Sequence, residues 1–443
     1  MWAEESVFYQ IYPLGMTGAP FENDGILTSR ITKLIPWMNH FNKLGIDAIY
    51  FSPIFESDTH GYNTRDYQKI DCRLGSNQDF VQVTKALHQA GIKVVIDGVF
   101  NHVGRGFFGF SDVLKQRENS PYKDWFFIDF NNNNGYNDGL SYEGWEGCMD
   151  LVKLNLKNPA VTDYLLKCIH GWIDEFDIDG LRLDVAYMLD HDFLRLLRQK
   201  TNEWKKDFFL IGEMIHGDYN QIANQSMCHS VTNYECYKGI YSSLNSDNLF
   251  EIVHSLLRQF GPEEWTLYKG THPVSFVDNH DVSRIASTIE VPEKIPLAFA
   301  LMYGMPGIPM IYYGSEWGQT GLKEDGDQGL RPAIDTPSWN LTTDKIASMN
   351  KALHSCKALS YGDFTSIILE NRHCIFRRSC PESVVYVGIN EDCNSYIAHF
   401  DSGYNKMKDI LTGESFTMTD GIPFSSYSAR FLIPATESEK PCR

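Results

Sequence analysis

No stretch of this sequence is long and apolar enough to span a bilayer, and no basic segment followed by an apolar one opens the chain. Positive charge is in short supply too. Lys and Arg number 39 against 57 Asp and Glu, a formal net charge of −18. That balance argues against binding to nucleic acid or an anionic membrane and suits a neutral substrate. The 10 cysteines are scattered without CxxC spacing, which fits reduced, partly buried thiols in a cytoplasmic protein. No Gly-rich cradle with a lysine follows a strand-like run, so phosphate chemistry is disfavoured. No GxSxG elbow is present, which removes the usual setting of a nucleophilic serine.

What the chain does have is a rhythm. Short apolar runs alternate with helix-compatible stretches, beginning with VFYQIYP (7–13), DAIYFSPIF (47–55), KVVIDGVF (93–100) and GLRLDVAY (180–187). They continue with FFLIGEM (208–214), SVTNYE (230–235), PVSFVDNH (273–280) and GIPMIYYG (307–314). Helices are expected around 30–44 and 76–90, the second opened by Ser76 and Asp79 and stopped at Gly91. Strands alternating with helices imply parallel pairing through right-handed crossovers, and eight of them point to a (β/α)8 TIM barrel.

Roughly eighty residues separate the third run from the fourth. Their first half is rich in Asn, Gly, Tyr and Trp, shows no helical period, and includes NNNNGYNDG (131–139). It reads as an irregular subdomain inserted after strand 3. After residue 358 the pattern changes to period two, in CIFRRS (374–379), SVVYVGIN (383–390), YIAHF (396–400) and YSARFLI (427–433), the mark of an antiparallel β-sandwich. The expected domains are a barrel over 1–103 and 151–358, an insert over 104–150, and a C-terminal β-domain over 359–443. The polar tail ESEKPCR (437–443) closes the chain.

Four runs end in a consistent set of polar residues, where a barrel of this kind builds its active site. DGVFNHVG supplies Asp97, Asn101 and His102. GLRLDVAY supplies Arg182 and Asp184, LIGEMIHGD supplies Glu213, and FVDNHDVSR supplies His280 and Asp281. Ionised carboxylates inside a barrel are costly unless paired or used. Asp97 suits a structural role, orienting Arg182. Asp184, Glu213 and Asp281 suit glycoside hydrolysis, in which one carboxyl stays protonated to serve the leaving oxygen and another stays ionised. Arg182, two residues before Asp184, is expected to hold that carboxylate ionised, and desolvation after FFLIG to keep Glu213 protonated.

With these motifs in order, the chain resembles the α-amylase family, glycoside hydrolase family 13. Minor signatures support the resemblance: GIDAIYFSPIF (45–55), LVKLN (151–155) and GIPMIYYGSE (307–316). The resemblance implies that Asp184 is the nucleophile and Glu213 the general acid/base, with Asp281 gripping sugar hydroxyls. It implies further that His102 and His280 bond the same ring, that Tyr62 in HGYNTRDY (60–67) stacks under it, and that Asp327 and Arg331 lie nearby.

The expected activity is a retaining, cytoplasmic hydrolase of α-1,4-linked maltodextrins that needs no cofactor. Its substrate is an α-glucan oligosaccharide. An alternative is a cyclomaltodextrinase or neopullulanase accepting cyclodextrins or α-1,6 bonds, or transferring glycosyl units. A remote alternative is a non-catalytic subunit or binding module. Calcium at Asn101 or in the Asn run is possible on this reading but lacks a clear site, because Val185-Ala186-Tyr187 replace the Lys-His usual after the nucleophile. LVKLN is similar to the MPKLN of neopullulanases and cyclomaltodextrinases. Those enzymes usually carry a Glu where Met188-Leu189 stand, and an N-terminal β-domain, so dimerisation by that route is not expected. Trp145 and Trp317 cannot be placed from the pattern.

Overall fold

Inward- and outward-facing residues alternate along the short apolar strands, and that alternation builds the molecule. A computed structural model describes residues 1–435; ESEKPCR lies outside them. Eight parallel strands form one sheet: β1 (Phe8–Ile11), β2 (Ala48–Phe51), β3 (Lys93–Gly98), β4 (Gly180–Leu183), β5 (Phe209–Gly212), β6 (Ser230–Val231), β7 (Val274–Phe276) and β8 (Ile308–Tyr312). They pair in sequence order, β8 also pairs with β1, and a parallel bridge between Thr232 and Val274 closes the barrel. Successive strand residues face opposite sides. Phe8, Ala48, Tyr50, Val95, Phe209, Ile211, Phe276 and Met310 therefore fill the interior, while Tyr9, Ile49, Val94, Leu181 and Leu210 pack under the surrounding helices. The (β/α)8 expectation holds, and all eight runs become strands, although SVTNYE yields only two strand residues before a helix starts at Tyr234.

The helix at Asn77–Gln89 shows why the local signals were readable. Ser76 accepts from the Asp79 backbone N–H while the Asp79 carboxylate accepts from the Ser76 N–H, a capping box worth about 1 kcal/mol. Phe80, Val83 and Leu87 bury one face, and Gly91 leaves the helix at φ +79°. The segment over 30–44 forms a 3₁₀ turn, Ile31–Trp37, containing Pro36, before the α-helix Met38–Leu44.

The region after β3 differs from the expectation in one respect: it contains an α-helix, Phe108–Gln116. Two and a half turns give little periodicity to read, and the helix is held by tertiary burial of Phe110 and Val113. Around it, His102–Gly104 pairs antiparallel with Cys148–Lys153, which pairs in turn with Gly144–Trp145. This small sheet stands directly over the end of β3.

At the C-terminal end, six antiparallel strands run in the order Asp363–Leu369, His373–Ser379, Val384–Asn390, Ser428–Pro434, Lys406–Asp409, Ser415–Thr417. A two-stranded sheet, Tyr396–Ala398 with Ile422–Phe424, covers one face over Ile375, Tyr386, Met407 and Leu432. The opposite face, through Phe376, Val387 and Phe431, joins the barrel's core. Arg378 is fully buried there and donates to the carbonyls of Gly304 and Gly362, at two helix ends where negative partial charge offsets its own.

Candidate active site

Register alone brings the first charged residues together. Arg182 on β4 lies opposite Asp97 on β3, and both point into the barrel. Arg182 Nη1 donates to Asp97 Oδ1 and Oδ2 at 3.0 Å each, and to Asp184 Oδ1 at 2.8 Å. Its Nη2 lies 2.6 Å from Glu213 Oε1. One buried guanidinium thus serves three carboxylates. Asp97 also accepts from Tyr50 Oη at 2.8 Å, the deeper, orienting place expected of it.

Asp184 and Glu213 each follow the last residue of a barrel strand. The Asp184 N–H donates to Gly98 O, and the Glu213 N–H to Leu183 O, so sheet hydrogen bonding carries both residues to the rim. Gly212 packs closely just before Glu213: a Cβ there would stand 2.8 Å from Ile222 Cδ1 and 3.1 Å from Ala186 Cβ, so the neighbours would have to shift. Val185, directly after Asp184, takes φ +40° and ψ +47°. A β-branched residue pays strain in that region. The turn aims its N–H at Glu213 Oε2, 2.9 Å away.

Burial pushes the Asp184 carboxyl well above the usual range; Arg182 opposes the rise, and Glu213 and Asp97 add to it. Burial raises Glu213 as well, again against Arg182 and with Asp281 adding to it. The expectation that Arg182 holds Asp184 ionised is therefore corrected. Its single charge is divided among three carboxylates, and desolvation outweighs the share that reaches Asp184.

Asp281 behaves oppositely. Burial would raise it, but His280 Nε2 at 3.0 Å and Arg331 Nη2 at 3.0 Å outweigh that and hold it far below the carboxylate range. His280 is stacked between the rings of Tyr62 and Tyr12, with centroids at 5.7 and 6.0 Å, and its Nε2 also contacts the Tyr62 hydroxyl. His102 is buried with Nε2 unpartnered, 3.8 Å from Asp184 Oδ2. Burial, with His60 nearby, brings its imidazolium down to about 3, so it is neutral at physiological pH. Arg331 also donates to the His280 carbonyl and pairs with the half-exposed Asp327 at 3.2 Å.

The nine residues expected from the sequence to act on or bind the sugar meet here. Asp184, Glu213, Asp281, Tyr62, His102, Asp327 and Arg331 line one cavity of about 600 Å³, and Arg182 and His280 support it from below. Trp145, which the pattern could not place, lines it from the insert, whereas Trp317 packs outside the barrel against His40 and Trp37. Sequence reasoning missed His60, Asp150, Tyr234, Ile215 and Lys323, which also face the cavity. His60 opens the recognised segment HGYNTRDY; Asp150 lies in the short insert strand Cys148–Lys153 and Lys323 in the 3₁₀ turn Lys323–Asp325, neither marked by a pattern.

Where calcium was considered, the Asn101 amide nitrogen lies 3.1 Å from His102 Nδ1. In the Asn run, Asp138 is paired with Arg105 at 3.0 Å, and Asn133 and Asn134 bond their own loop. The acidic cluster Glu56, Asp71 and Cys72 is already satisfied, with Asp71 held by Arg73 at 2.6 Å.

No helix among the described residues is long and apolar enough to cross a membrane. Residues 10–360 match the family model for the alpha amylase catalytic domain. The chain is 28% identical over 455 residues to the maltogenic alpha-amylase of Bacillus acidopullulyticus, an alignment covering 95% of this chain and 75% of that one. It is 32% identical over 352 residues to neopullulanase 2 of Thermoactinomyces vulgaris, covering 73% and 58%. A solved cyclomaltodextrinase structure superposes with a TM-score of 0.84 at 25% identity, covering 98% of this chain and 78% of that one. A closed eight-stranded barrel, three carboxylates at its rim and a family match over most of the length agree, and the chain belongs to the α-amylase family of glycoside hydrolases.

Proposed function

We propose that this chain is a retaining α-glucan hydrolase that cleaves α-1,4 bonds of maltodextrins inside the cell, without a metal in the reaction. The observation that carries the reading is the single guanidinium of Arg182 bridging Asp184 and Glu213 at 2.8 and 2.6 Å. Carboxyls gathered on one arginine suit the separation of about 5 to 5.5 Å used by retaining enzymes. The roughly 6.5 to 9.5 Å that admits an inverting water fits them less well.

In the first step the free Asp184 Oδ2 attacks the anomeric carbon. The bond to the leaving sugar breaks, and Glu213 gives its proton to the departing oxygen. In the second step water attacks the same carbon while Glu213 takes its proton, and the ester to Asp184 breaks. The α configuration is kept by two inversions. Burial raises both carboxyls of the pair, which therefore titrate together; the reaction uses the state with the proton on Glu213. Glu213 must turn one oxygen from Arg182 or Val185 to reach the substrate. Asp281, kept ionised, grips sugar hydroxyls, and the unpartnered His102 Nε2 offers a further bond. Tyr62 presents an apolar ring face to the sugar.

The relatives' names favour a second reading, action on cyclodextrins or pullulan. Incubation with maltoheptaose, a cyclodextrin, pullulan and an isomalto-oligosaccharide separates the two. Rapid cleavage of maltoheptaose to α-configured products is expected; β products or no cleavage of any α-glucan would overturn the proposal.

A further inference from the structure

We infer that Gln10 is a positioning residue of this site, its side-chain amide fixing the proton of His280 on Nε2, where that proton faces Asp281. The inference rests on the glycosidase reading for its consequence, though not for its geometry.

Gln10 points inward from β1 and is fully buried. Its backbone is locked between β2 and β8, with Tyr50 and Tyr312 as register partners. A glutamine facing a barrel interior is expensive unless its amide is used. Here Nε2 lies 2.7 Å from His280 Nδ1 and 3.1 Å from Ser52 Oγ, while Oε1 has no partner.

Which way the amide points decides the histidine's tautomer. As placed, both N–H groups are satisfied and one carbonyl oxygen is not. Turned over, the oxygen would accept from Nδ1–H and from Ser52, but two N–H donors would be orphaned in the same pocket. Two buried orphan donors cost more than one under-used carbonyl. The amide therefore donates to Nδ1, which must present its lone pair, and the ring proton resides on Nε2.

The surroundings of the ring agree. At Nε2 stand Asp281 Oδ2 and the Tyr62 hydroxyl, both able to accept. Tyr62 also reaches Asp97 Oδ2 at 3.3 Å, so its own proton has another destination. The rings of Tyr12 and Tyr62 cover the two faces, Arg331 donates to the His280 carbonyl, and Glu213 is the next charge along. Among the described residues Gln10 is the hydrogen-bond partner recorded at Nδ1. A second proton there would confront the amide N–H. Gln10 thus keeps the His280 proton on Nε2, where it faces Asp281 and helps hold that carboxylate in place for sugar hydroxyls.

The test is ¹⁵N NMR of protein labelled at histidine, with the His280 resonances assigned by their loss in His280→Gln. The expected result between about pH 6 and 8 is an unprotonated Nδ1 and a protonated Nε2. Gln10→Glu should protonate both nitrogens, and Gln10→Leu should mix the tautomers. In both variants kcat on maltotriose should fall about tenfold or more, with little change in KM. A wild-type His280 protonated at Nδ1 overturns the inference, and so does a Gln10→Leu protein with unchanged tautomer. If a variant does not fold, the wild-type spectrum still decides. Because the spectrum needs no substrate, the expected tautomer in a protein that cleaves no α-glucan would sink the function and leave the positioning intact.

Discussion

Asp97 never touches the cavity, yet its charge should set the pH at which the enzyme works. Arg182 Nη1 is 3.0 Å from an Asp97 oxygen and 2.8 Å from an Asp184 oxygen, so the two carboxylates stand at most about 6 Å apart. Two unit charges at about 6 Å repel by about 2.8 kcal/mol at an effective dielectric of about 20. Asp97→Asn keeps the shape, can still accept from Tyr50, and removes that repulsion. It also releases Arg182 to serve Asp184 and Glu213. Both changes favour ionisation of the catalytic pair. The acid limb of kcat/KM, which reports the nucleophile, and the alkaline limb, which reports the acid, should therefore move together toward lower pH. The expected displacement is about one pH unit or more, because about 1.4 kcal/mol is tenfold in an ionisation equilibrium. The assay is hydrolysis of maltotriose from about pH 4 to 9, with melting curves to verify the fold. A folded variant whose profile stays in place, or moves toward alkali, would refute the electrostatic account of the site.

Asp184→Asn should fold and melt no lower than the parent, since burial already penalises the charged form, while hydrolysis falls at least about 10⁴-fold; steady-state rates and calorimetry check both. Glu391 is buried beside Lys294 and pushed up to about 7 from 4.5 because burial outweighs that partner. A carboxyl raised by folding stabilises the fold only while protonated. Its contribution is therefore full below about pH 4.5 and lost as pH rises through about 7. Glu391→Gln should remove most of the loss of stability between pH 6 and 8 that this group causes, a difference of about 1.4 kcal/mol, read from melting curves. EDTA should change neither activity nor melting temperature; a loss restored by calcium would show an ion site.

The barrel was legible because its strands are short, apolar and punctuated, and because Ser76, Asp79 and Gly91 mark helix ends by local chemistry. The catalytic constellation was legible because charges in apolar strands are expensive: Arg182 and Asp184 stood out for that reason alone. The helix Phe108–Gln116 was not, since two and a half turns carry little period and its burial comes from distant residues. Lys323, in a 3₁₀ turn, and Asp150, on a short insert strand, reach the cavity through tertiary placement that no spacing encodes. Gln10 was in view within VFYQIYP, yet a lone glutamine in a strand reads as an edge or surface residue until the barrel closes around it. The sharing of Arg182 among three carboxylates could not be read either, because Glu213 lies thirty-one positions away and joins only through the strand register.

The central claim is that Asp184 becomes covalently bonded to the sugar. Glu213→Gln incubated with α-maltosyl fluoride tests it directly: fluoride leaves without a proton, so the first step proceeds, while the second step lacks its base. Intact-mass measurement should show one maltosyl unit added, and peptide mapping should place it on Asp184. A label on any other residue would contradict the account. So would rapid turnover of the fluoride to a β-configured sugar with no adduct.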